Sequence, residues 1–230
     1  MVNQGNADHE FAQMQNIYHR YIKLPFSFKK PEWSDVKRTH SKEQENGSEY
    51  FDINEKGDTD VYRCDVKEND DNVRDFFDKF NLFFDSKLLF YTKGNDTIKI
   101  HVDSNKDESY SKKVDNYLDN HAKLNFTWET KDSSLRWWKS KNNTKFHLDK
   151  HTYKEGKAWQ VIWVDPTDCE MVYEKRINKP SIVNTGQLHS THNQSKEGRI
   201  TLSYNLVKKH NLELVTFSEA LWLFGDLLYE

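Results

Sequence analysis

The chain has 230 residues, a formal net charge of −3, 31% charged residues and 14% aromatic residues. That length allows one large domain or two small ones, and the aromatic content supports a packed core. The near-neutral balance excludes a whole-molecule polyanion binder, so any nucleic-acid contact must come from a local patch. No window reaches the roughly 18 apolar residues of a transmembrane helix, so no membrane-spanning segment is expected.

The first ten residues, MVNQGNADHE, contain no apolar signal-peptide core. A processed secreted chain carrying an added Met1 reads the same way. From Asp8 to Leu24, Phe11, Met14, Ile17, Tyr18, Tyr21 and Ile22 recur at helical spacing. That spacing predicts an opening helix with one buried stripe, capped by Asp8 and stopped by Pro25. Glu10 falls just outside the stripe. Residues 34–48 are polar and read as a loop.

EYFDI and DVYRCDV around NEKGDT predict a hairpin. NVRDFFDKFNLFF predicts a helix with Val73, Phe76, Phe77 and Phe80 on one side. KLLFYT and TIKIHVD around KGND predict a second hairpin, ESYSKKVDNYLDNHAKL a helix, and NFTW a strand. Further on, AWQVIWV and MVYEKRI flank the turn DPTD, ITLSYNL and LELVTF flank VKKHN, and SEALWLFGDLLY predicts a buried final helix. The expected fold is α+β: an antiparallel-sheet-rich single globular chain with a ferredoxin-like βαββαβ segment over residues 59–128 and terminal helices. It is read as one domain over residues 1–230, with residue 130 the place for any subdivision. Such a fold hosts many functions and selects none.

Cys64 and Cys169 are too few to make a disulfide scaffold. Sequons begin at Asn46, Asn95, Asn125, Asn142 and Asn193, as expected by chance in an Asn-rich chain. The Lys/Asn/Asp richness correlates with an AT-rich coding source.

Four constellations compete as sites of chemistry. Between Lys131 and Lys157 there are eight Lys/Arg against three acids, whereas residues 49–81 carry eleven acids against five bases. Arg136, Trp137 and Trp138 lie in the basic run, where aromatic faces can stack on unpaired bases while cations neutralise phosphates. The bland alternative is a solvated loop with one Trp in the core. Second, His147 with His151 and His189 with His192 have spacings that can hold a metal, but HLDKH lacks the Glu of HExxH and both pairs read as surface histidines. Third, Asp60 with Asp65 and Lys67 mimics a metal-dependent nuclease pattern. His101 and Asp103 followed by Tyr110 and Lys113 mimic a rolling-circle nickase. Both patterns are short enough to arise by chance. Fourth, Glu10 stands near one end and His210, in KKHN, near the other. Taken alone, Glu10 complements a helix dipole and His210 is a solvated turn residue.

These last two positions anchor a resemblance. In length as a mature chain, in composition, in the Glu of HEF near the start and in the His of KKHN near the end, the chain resembles the tRNA-cleaving subunits of yeast killer toxins encoded on linear plasmids. The resemblance implies a secreted, metal-independent anticodon nuclease with no cofactor, acting in the cytoplasm of target cells and blocking translation. It maps the family's essential carboxylate and imidazole onto Glu10 and His210, as general base and general acid. Arg136, Lys209 and Arg199 are the candidate cations for the phosphorane, and Trp137 and Trp138 the candidate base-stacking residues. It further implies a glutamate tRNA with a modified wobble uridine as substrate, and chitin-binding partner subunits, one of them held through Cys64 or Cys169. The competing readings are a non-catalytic RNA-binding module and a metal-dependent nuclease built on Asp60, Asp65 and Lys67.

Overall fold

The computed structural model describes residues 17–32, 36–37, 59–64, 66–84, 87–103, 121–142, 144–152 and 158–230. In chain order the first strands are β1 (His19–Ile22), β2 (Val36–Lys37) and β3 (Thr59–Cys64), followed by helix α1 (Lys67–Asp78). Then come β4 (Leu82–Phe83), β5 (Lys87–Thr92), β6 (Asp96–Thr97), β7 (Ile100–Asp103), β8 (Ala122–Trp128), β9 (Ser133–Ser140), β10 (Phe146–Thr152) and β11 (Ala158–Val164). A 3-10 turn, Pro166–Asp168, leads to β12 (Cys169–Lys175), β13 (Ser181–Asn184), β14 (His189–Asn193), β15 (Arg199–Asn205) and β16 (Val207–Lys208). Helix α2 (Phe217–Phe224), a second 3-10 turn and β17 (Leu228–Tyr229) close the chain.

Two large sheets result. One has eight strands in the order β17-β1-β13-β8-β15-β5-β3-β2. The other has seven, β10-β11-β7-β14-β9-β12 with β6 added beside β14. The paired strands run antiparallel. Strands from both sides of residue 130 interleave in each sheet.

The eight-stranded sheet is covered on both faces, and residue alternation sorts its side chains. On one face Leu89, Leu124, Phe126, Ile182, Leu202 and Tyr204 pack with Phe76 and Phe77 of α1 and Phe217, Ala220 and Phe224 of α2. The rings of Phe76 and Phe224 stack at 5.7 Å, joining the two helices. On the other face His19, Tyr21 and Val183 meet Trp137 of the second sheet. Much of this inter-sheet layer is polar: Ser203 Oγ donates to Asn125 Oδ1 at 2.6 Å, and Arg199 Nη1 donates to Thr191 Oγ1 at 3.4 Å.

The antiparallel, sheet-rich architecture agrees with expectation, while several elements differ. Residues 19–22 of the expected opening helix form β1. Adjacent Tyr21 and Ile22 are both buried because the strand lies between two layers and sends them to opposite faces, Ile22 into the cluster with the helices and Tyr21 into the one with Trp137. Residues 8–16 lie outside the described residues. Helix α1 starts five residues earlier than expected and ends before Asn81, whose φ of 58° breaks the helix. KLLFYT and TIKIHVD form strands, but not a hairpin: β5 joins the eight-stranded sheet and β7 the other. AWQVIWV and MVYEKRI share the seven-stranded sheet without pairing with each other, β11 pairing with β10 and β7, and β12 with β9. Because β3 and β5 are antiparallel neighbours and β7 leaves their sheet, residues 59–128 do not form the single sheet of a ferredoxin-like unit. Of the helix expected over 108–124, residues 122–124 belong to β8 and 108–120 lie outside the described residues.

Candidate functional site

His210 sits exposed at the turn that follows β16. That turn is firmly braced. Lys209 N donates to Asn81 O at 3.1 Å, Leu212 N to Lys208 O at 2.9 Å and Lys208 N to Glu213 O at 2.8 Å. Lys208 Nζ binds Glu219 Oε1 of α2 at 2.6 Å, and Lys209 Nζ pairs with Asp78 of α1. Leu212 is held at φ 62° and is 72% exposed. A leucine in the left-handed region is strained by roughly 1–2 kcal/mol, and such outliers concentrate where a backbone shape is needed for function. Glu10 lies outside the described residues.

The other residues singled out from sequence disperse. Arg136 lies on β9 with Nε 2.8 Å from Glu174 Oε1. Trp137 is fully buried; its Nε1 donates to Asn184 O at 2.9 Å and its ring meets Tyr18, His19 and Tyr173. Those neighbours leave no open face for a base, so Trp137 is the core tryptophan of the bland reading. Trp138, on the opposite face of β9, is part-buried and donates from Nε1 to Ser190 Oγ at 2.9 Å. Arg199 is buried between the sheets, and burial draws its guanidinium down to about 10. Lys209 alone among the candidate cations shares a turn with His210.

His147 stacks on Trp163 at 4.0 Å and faces Asp165 at 3.3 Å. His189 and His192 are three apart on strand β14, so they point to opposite faces; His192 meets Thr97 Oγ1 at 2.7 Å. Asp60 lies on β3 and Lys67 opens α1, while Asp65, Tyr110 and Lys113 lie outside the described residues. Cys64 and Cys169 sit in different apolar clusters, both buried, and are not joined. Burial pushes the Cys169 thiol up to about 11, away from the reactive thiolate. Asn193, a sequon residue, is buried with Nδ2 donating to Lys93 O at 2.9 Å and Glu197 O at 2.8 Å.

One cluster joins residues from two separate motifs. His101 and Asp103 stand two apart on β7, hence on one face, and His189 is the cross-strand partner of His101. One donor atom from each of the three lies within 4.8 Å of the others, and the two imidazoles are 4.4 Å apart between ring centroids. Lys123, from β8 of the facing sheet, places Nζ 2.6 Å from Asp103 Oδ2. Burial opposes ionisation of Asp103, but the Lys123 ammonium, His101 and His189 outweigh it and hold the carboxyl well below its usual range. Burial first, then His101, push His189 down to about 4, so its imidazole is neutral at pH 7. The sequence signal was the alternating HVD; the missing half was the register that brings in His189.

No protein-family model matches the chain, and no curated protein matches it. Among solved structures, a two-residue deletion mutant and a tryptophan-to-tyrosine variant of Bacillus subtilis oxalate decarboxylase each overlay with TM-score 0.26 at 10% identity. Each overlay covers 71% of this chain, which spans 29% of the decarboxylase chain. An oxalate oxidase overlays with TM-score 0.28 at 11% identity, over 86% of this chain and 77% of the oxidase. At these scores the overlays carry no argument about this chain's fold or chemistry.

Proposed function

We propose that the chain is a secreted ribotoxin that cuts the anticodon loop of specific tRNAs without a metal. The ribose 2′-OH loses its proton to Glu10 and attacks the adjacent phosphorus. The P–O5′ bond breaks, and His210, entering as imidazolium, gives its proton to the departing 5′-oxygen. The products are a 2′,3′-cyclic phosphate and a 5′-OH end. Acid and base contribute about 10² to 10⁴-fold each, and Lys209, on the same turn, is the cation nearest in sequence to the acid. Partner subunits carry the chain to the target cell.

The observation that supports this reading best is the His210 turn: an exposed imidazole on a strained loop held by both helices through Lys208 and Lys209. A merely solvated surface histidine needs no such bracing. The test is incubation with total yeast tRNA in EDTA. Discrete tRNA halves with cyclic-phosphate ends are expected, lost in Glu10→Ala and His210→Ala. Shifted but intact tRNA would instead indicate a binding module, and cutting only after magnesium or manganese is restored would indicate a metal-dependent nuclease.

A further inference from the structure

Two imidazoles and a carboxylate that the nuclease chemistry does not use converge between the sheets. His101 Nδ1 lies 2.7 Å from Lys99 O and His189 Nδ1 lies 2.8 Å from Gln187 O. A carbonyl oxygen only accepts, so each Nδ1 carries the proton and donates it. In the neutral imidazoles each Nε2 therefore keeps its lone pair. Fixing a histidine tautomer through a backbone carbonyl on the far nitrogen is how proteins orient metal ligands. His101 Nε2 is 3.5 Å from Asp103 Oδ1, and the other carboxylate oxygen is held by Lys123. All three side chains are set by strand backbone, two of them by one register pair.

We propose that His101, Asp103 and His189 bind one divalent transition-metal ion of the zinc class, which ties β7 to β14 on the face that meets the other sheet. The donor set decides the class: two imidazoles and one carboxylate suit zinc, cobalt, nickel or iron, whereas calcium and magnesium prefer all-oxygen cages. The span fits. A tetrahedral ion with bonds of about 2.1 Å sets its ligand atoms about 3.4 Å apart. The His101–Asp103 distance already matches that, and the ligand atom of His189 lies within 4.8 Å of both. Lys123 stays on Oδ2 and orients the carboxylate, at the cost of a positive charge beside the metal.

The test uses the full chain, stripped with EDTA and dialysed, then titrated with Co2+ under absorption spectroscopy and competed with Zn2+. Saturable uptake of one Co2+ per chain, with ligand-field bands that one equivalent of Zn2+ removes, is expected. Asp103→Asn and His189→Gln should each weaken uptake at least about tenfold. Because buried substitutions can impair folding, two further variants carry the decision. Lys123→Gln removes the competing charge while keeping an amide N–H to orient Oδ2, and should tighten Co2+ binding about tenfold. His147→Gln, at the other candidate histidine, should leave binding unchanged. Absence of one-to-one uptake by the wild type, weaker uptake in Lys123→Gln, or loss of uptake in His147→Gln would overturn the assignment. The tRNA assay runs in EDTA, so metal uptake and RNA cutting succeed or fail independently.

Discussion

Asp70 shows how much one side chain carries in this structure. It is buried in the first turn of α1, accepts from Tyr204 Oη at 2.9 Å and pairs with Lys87 of β5. Asp70→Ala would remove the acceptor of the buried Tyr204 hydroxyl and one ion pair of Lys87, which predicts a loss of roughly 1–3 kcal/mol in urea unfolding; an unchanged midpoint would contradict the network. His19 gives a pH prediction. Burial, then Lys175 and Arg20, push its imidazole down to about 4, whereas an unfolded histidine protonates near 6.5. Between those values the unfolded chain binds a proton that the folded chain does not. The contribution of His19 is therefore fully present above about pH 6.5 and is lost progressively as pH falls toward 4. Urea midpoints should drop from pH 7 to pH 5 in the wild type and drop less in His19→Gln; an identical pH slope in both would contradict this.

At the scale of elements, α2 is the best-specified unit. Thr216 Oγ1 accepts from Glu219 N at 3.2 Å while Glu219 Oε2 accepts from Thr216 N at 2.8 Å, a complete capping box. Thr216→Ala should cost about 1 kcal/mol, measured as a lower unfolding midpoint; no change would mean the helix is held by packing alone. The helix was legible as far as Phe224, because TFSEALWLF combines a cap signal with an apolar face, but the expected run to Tyr229 gives way at Gly225 to a 3-10 turn and β17, and Trp222 is 82% exposed rather than buried. Most strands were legible too, from alternation and turn residues. Their partners were not. Period-two patterning marks a strand but not its neighbour, so β5 and β7 read as a hairpin although they lie in different sheets. The stretch ending at Ile22 misled for a related reason: a strand buried on both faces has adjacent apolar residues, and Ile17-Tyr18 with Tyr21-Ile22 also satisfies a helical stripe.

For the whole molecule, two sheets bring together what sequence separates. His101 and His189 are 88 residues apart (189 minus 101) and become register partners. Trp137 and Arg199, attractive as RNA contacts in a basic or exposed setting, are drawn instead into the inter-sheet layer by their inward-facing positions on β9 and β15. His210 is singled out only by the family resemblance, since a histidine in a Lys-rich turn has no periodicity to mark it. In the proposed function this imidazole is the acid that releases the 5′-oxygen of a cut anticodon loop. The most direct measurement is single-turnover cleavage of total yeast tRNA in EDTA by wild type and His210→Ala, alongside thermal unfolding of both. At least about 10²-fold slower cutting by the variant is expected, with an unchanged melting temperature because His210 is exposed. Equal cleavage by both proteins, or no cleavage by the wild type, would contradict it.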